Sequence, residues 1–130
     1  MAFHYERKEL TPEVVLWAMY ETPSVEDWQS FLADGTDWLL DLERRGCKIG
    51  VVVDPSGMGN ANGSTRRAAG EWRASHLPLI ANTCVCASYV AENSIMRSVL
   101  TAVFWFARPV IPVQICASRD EALAWVQARL

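Results

Sequence analysis

The chain has only two histidines, no excess of basic charge and no long hydrophobic run. Each shortage excludes something. With 12 Lys and Arg against 15 Asp and Glu, the net charge is -3. A nucleic-acid surface needs clustered Lys and Arg to meet phosphates, so the balance argues against such a partner, local basic patches apart. Two histidines leave few imidazoles for a metal or a general base. The longest apolar stretch, "VLTAVFWFA" at 99–107, is about half of what a membrane-spanning helix needs. The opening "MAFHYERKEL" lacks the apolar core of a signal peptide, so a cytoplasmic protein is expected. Internal repeats and low-complexity segments are absent as well.

What is present reads as globular. Half of the residues (51%) are hydrophobic and 21% are charged, a balance that favours a packed core over disorder. A length of 130 residues suits one domain spanning 1–130. Cys47, Cys84, Cys86 and Cys116 sit inside apolar segments, where reduced cysteine packs as a small hydrophobe. Strand alternation places Cys84 and Cys86 on one face. A metal site would need all four thiols to converge, and C-x-C alone is weak. Core packing is expected, with no metal and no cofactor.

The pattern along the chain predicts alternating elements. Residues 3–10 and 14–21 read as two strands joined by Thr11-Pro12-Glu13. Ser24 is placed to cap a helix, with Glu26 and Asp27 in its first turn. Trp28, Phe31, Leu32, Leu39 and Leu42 follow helical spacing, and Gly35 on the same stripe permits close packing on a sheet. Gly46 should end this helix. "CKIGVVVD" (47–54) reads as a central strand. A helix capped by Asn62 or Ser64 should run to about His76, limited by Pro78. A strand at 82–90, a helix from Asn93 or Ser94 to 107, a strand at 112–117 and a helix capped by Ser118 complete the order β-β-α-β-α-β-α-β-α. Strand–helix alternation implies a mixed, mainly parallel five-stranded sheet with four helices, an α/β protein.

That order, with "VVVDPSG", "STRRAAGEW", "SIMRSVLTAVFWF" and the ending "SRDEALAWVQARL", resembles the SpoIIAA-like or STAS superfamily, including the small bacterial STAS/SEC14-type proteins. The resemblance implies a single SpoIIAA-like (STAS-like) domain. Antagonists of that superfamily carry Asp-Ser-Ser-Gly-Leu-Gly at the start of a helix, with the second serine phosphorylated by a partner kinase. Asp54-Pro55-Ser56-Gly57-Met58-Gly59 is similar, with Ser56 on the phosphorylated position. Asp54, Gly57 and Gly59 would then frame a switch loop. The motif follows the strand directly here, whereas in the superfamily it lies several residues beyond. Asp54 therefore also matches the aspartate that commonly ends this strand.

Other readings of the same residues are weaker. Gly57-Met58-Gly59 followed by Asn62 falls short of G-x-G-x-x-G, and "GNANGST" lacks the lysine of a phosphate-binding loop. Ser56, His76 and Asp54 have the types for a nucleophile triad, but the helix carries His76 about five turns away from the strand end. No acid, base and nucleophile converge, and an enzyme is not expected. Arg66, Arg67 and Arg73, near one helix, are candidates for an anion or partner contact. The helix at 94–107 is apolar nearly all round. Met96, Val99, Leu100, Val103 and Phe104 form one stripe, which leaves Ile95, Trp105 and Phe106 as a candidate interface unless the last helix covers them through Leu123 and Trp125. Two functions follow. One is a non-catalytic protein-interaction or regulatory module, working through a protein partner or as a homodimer. The other, implied by the SEC14-like side of the resemblance, is a small-ligand or lipid binder with Trp17, Trp28 and Trp38 available to line a pocket.

Overall fold

A computed structural model of the chain describes residues 5–58, 63–106 and 108–130, without the side chain of Phe106. The first two strands, β1 (Tyr5–Thr11) and β2 (Val14–Met19), pair antiparallel. Helix α1 (Val25–Arg45) follows, then β3 (Ile49–Asp54). A single turn of 3-10 helix (Ser56–Met58) leads to α2 (Gly63–Ser75) and α3 (Leu77–Thr83). Strand β4 (Cys84–Val90), α4 (Ser94–Phe106), β5 (Val113–Cys116) and α5 (Arg119–Gln127) complete the chain. The five strands lie in sequence order, and β2 to β5 are parallel.

Local chemistry explains the ends of the helices. The Asp27 amide donates to Ser24 Oγ (3.1 Å) at the start of α1. Gly46 stops α1 in the left-handed region (φ 67°), where its missing Cβ removes the steric penalty. The Met96 amide donates to Asn93 Oδ1 (2.8 Å), so Asn93 caps α4. The Glu121 amide donates to Ser118 Oγ (3.2 Å) at α5. The expected fourfold helix count needs correction. Pro78 sits in the first turn of a separate helix, α3, where its missing N–H costs nothing, so it opens a helix instead of only closing one. Strand β4 accordingly begins at Cys84, two residues later than its pattern suggested.

Alternation along the strands sorts the core into two layers. Leu16, Ala18, Val52, Cys86 and Val90 face α5 and pack with its Ala122 and Val126. Trp17, Met19, Val51, Val53 and Ala87 face α1, α2 and α3. Neighbours on β4 show the two sides: Ser88 Oγ donates to the Ala122 carbonyl (3.0 Å) under α5, and Tyr89 meets Phe104 of α4 edge-to-face at 4.9 Å. The last helix therefore lies across the sheet from α4 and cannot cover it. Cys84 and Cys86 do not share a face either. A register shift opposite Ile49 and Gly50 inserts one extra residue, so Cys84 packs with Leu39 and Leu42 while Cys86 lies under α5.

Candidate functional site

The turn after β3 is a joint. Asp54 is almost buried (4% exposed), and its Oδ2 accepts from Arg119 Nε of α5 at 2.5 Å. Its Oδ1 accepts from the Ser56 amide at 3.0 Å. Burial alone would raise the Asp54 pKa, but the hydrogen bonds from Ser56 and Arg119 and the guanidinium charge outweigh it and hold the carboxyl below its ordinary value. Arg119 Nη2 also donates to Tyr20 Oη (3.4 Å), which in turn donates to Glu6 (3.2 Å). Thr22 Oγ1 donates to the Met58 carbonyl (2.5 Å) and pins the far side of the turn.

Two of the switch-loop candidates are therefore structural in this arrangement. Asp54 ties the end of β3 to the start of α5. A Cβ at Gly57 would lie 2.3 Å from the Met19 carbonyl oxygen and 2.5 Å from Tyr20 Cα, so glycine is there to let the turn touch β2. Gly59 lies outside the described residues. The Ser56 hydroxyl is buried and has no hydrogen-bond partner of good geometry among the described residues, although it lies near enough to Asp54 to help hold that carboxylate charged. A kinase needs an exposed hydroxyl, so this geometry weighs against Ser56 as a phosphoacceptor. His76 is engaged elsewhere: its Nδ1–H donates to the Trp72 carbonyl (2.6 Å), and its ring stacks on Trp72 at 5.0 Å.

The second site is a hollow that sequence periodicity did not reveal. Between the sheet, α1, α2 and α4 lies a cavity of about 180 Å³ with an almost wholly apolar wall. Trp17 and Met19 of β2, Trp28 and Phe31 of α1, Trp72 of α2 and Tyr89 of β4 form its floor and sides. The inner face of α4, with Met96, Val99, Leu100, Val103 and Phe104, forms the remaining wall of a space that is partly open to solvent. A smaller hollow of about 80 Å³ adjoins it behind Trp72, Arg73 and Tyr89 and reaches Trp38. Of the three tryptophans proposed for a pocket, Trp17 and Trp28 line the larger space, and Trp17 and Trp38 the smaller. Gly35 brings α1 close here, since a Cβ would lie 2.6 Å from Trp17 Cη2.

The arginines separate. Exposed Arg66 and half-buried Arg73 line the cavity, whereas Arg67, also exposed, is not part of its wall. The Arg73 guanidinium lies over the Phe104 ring, 4.9 Å from its centroid. Burial pushes the Tyr89 phenol up, and the Arg73 charge pulls it the other way.

Helix α4 is unusual in its exposure. Most of its residues are apolar, yet none of its described side chains is buried. Ile95 is 68% exposed and Trp105 81% exposed on the outer side, while Phe106 lies outside the described side chains. Two wider hollows beside Trp105 are open to solvent. Among the described residues no group of three or more His, Cys, Asp or Glu side chains is placed to hold a metal ion. No described helix is long and apolar enough to cross a membrane.

No protein-family model matches the sequence, and no curated protein matches it. Among solved structures, the chain is similar to an uncharacterised protein of the DUF3478 family from Shewanella loihica PV-4, which has a SpoIIAA-like fold. The two superpose with a TM-score of 0.69 at 9% identity, over 96% of this chain and 94% of that one. At that identity the likeness speaks of architecture alone. With a sheet in sequence order, an antiparallel first pair and helices on both faces, this chain has a SpoIIAA-like fold.

Proposed function

We propose that this protein is a non-catalytic binding module that holds a small, mostly apolar ligand between the sheet and α4. The cavity of about 180 Å³ carries this reading. Ligand sites are concave and apolar, with a few polar groups that fix orientation. Aromatic rings supply the wall here, and Arg73, Arg66 and Tyr89 supply the polar groups. Helix α4 fits the part of a lid, because it spans the hollow without a buried side chain of its own. Titration with octanol, followed by the fluorescence of the six tryptophans, should show saturable binding. Leu100→Trp, which fills the space from the lid, should abolish it while the circular dichroism spectrum stays unchanged. Native mass spectrometry of freshly purified protein should also show a co-purified small molecule. Absence of binding by octanol and by octanoate, together with the bare chain mass, would overturn the reading.

A second reading has its own observation. Ile95 and Trp105 give α4 an exposed apolar outer face, which suits a protein contact or a two-fold homodimer. Light scattering at high concentration tests it. A dimer that Trp105→Glu converts to a folded monomer supports this reading, and a wild-type monomer removes the homodimer.

A further inference from the structure

Resting on the cavity reading, we propose that the ligand is a short amphipathic anion whose head is bound by Arg73 at the rim between α2 and α4. Arg73 is half-buried and forms part of the wall of both hollows. Its guanidinium leans on Phe104 of the lid, and no Asp or Glu among the described residues pairs with it. The chain carries 15 acidic residues and only 12 basic ones, so a counter-ion would have been easy to place. Removing a cation from water without an opposite charge is unfavourable, and such groups in folded proteins are normally paired. A bound anion would supply the missing partner. The planar fork of arginine suits the two oxygens of a carboxylate or phosphate.

Two further features agree. Arg66 lies two helical turns before Arg73, on the same face of α2, and lines the same space. The Tyr89 ring also lines it, and burial keeps its phenol protonated, a donor and not a competing anion. The size of the hollow limits the tail. At roughly 30 Å³ per water-sized group, the larger space of about 180 Å³ holds about six such groups and the adjoining one of about 80 Å³ about two to three more, which suits a chain of about eight carbons or one ring.

The test compares octanoate, octyl phosphate, octanol and octylamine by tryptophan fluorescence, on the wild type, Arg73→Gln and Arg73→Lys. Either anion should bind at least about tenfold tighter than octanol, as expected for charge-assisted hydrogen bonds, and octylamine should bind weakest. The ratio of the two anions identifies the head. Arg73→Gln should remove the preference, read as the ratio of anion to octanol affinity within the same variant, and Arg73→Lys should retain part of it. An unchanged circular dichroism spectrum shows that each variant is folded. If octanol binds as tightly as the anions, or Arg73→Gln keeps the preference, the anionic head is wrong and the cavity reading stands. If no compound binds, both fall.

Discussion

At the scale of single residues, Asp54 and Arg119 form the most consequential pair. They lie 65 positions apart and join β3 to α5 across the turn that resembled a phosphorylation motif. The carboxyl is held below its ordinary value, so its ionised form is favoured by folding. A group with a lowered folded-state pKa contributes stability above its unfolded pKa, about 3.9 for Asp, and loses it as pH falls through the folded value. Arg119→Met should therefore destabilise the protein near pH 7. The loss should be about 2 kcal/mol, below the roughly 3–5 kcal/mol of a fully buried pair, because Arg119 is itself 44% exposed. Urea denaturation at several pH values checks this. The gap between wild type and variant should begin to narrow below about pH 4 and close as pH falls through the lower folded-state pKa. A gap independent of pH would show that the carboxylate charge is not the cause.

Among the elements, α1 and α4 are opposites. Helix α1 has caps at both ends and buries Trp28, Phe31, Gly35, Leu39 and Leu42. Helix α4 is the more apolar of the two, but it buries none of its described side chains and rests on the rim of a cavity. Burial, not hydrophobic composition, determines how firmly an element is held. Amide hydrogen exchange should reach α4 well before α1 under native conditions, and octanoate should slow it in α4. Equal protection of the two helices in the free protein would show that α4 is a fixed part of the core. The legibility of these helices differed for the same reason. Periodicity and capping residues gave α1 nearly to the residue, because those signals act within one turn. The sequence of α4 gave its helical character and its surplus of apolar surface. It could not give the hollow beneath, which depends on Trp17, Trp28, Trp72 and Tyr89 from four other elements.

For the whole molecule, the two faces of the sheet divide the work. The face under α5 is tightly filled, and Val14, Val52, Val90 and Val126 are fully buried there. The other face is lined with aromatic rings and keeps a space among them. Thiol chemistry reports this packing. Cys84, Cys86 and Cys116 are buried, and burial raises the pKa of each, whereas Cys47 is partly exposed. A thiol reagent should react quickly with one cysteine in the native protein, Cys47, and with all four in denaturant. Fast reaction of two or more in the native state would contradict the packing. Fewer than four in denaturant would reveal a disulfide.

Local signals in the chain were enough for the order of the strands, the caps at Ser24, Gly46 and Ser118, and the buried central strand. Each depends on residues within a few positions of one another, where hydrogen-bond geometry and side-chain periodicity act directly. Tertiary structure alone decided which groups meet. It separated Cys84 from Cys86 through a bulge, turned Pro78 into the start of a helix and enclosed the Ser56 hydroxyl. It also left Arg73 at the rim of an apolar cavity without a carboxylate. Those outcomes depend on contacts between distant segments, and no local pattern in the chain records the space that remains when such segments pack.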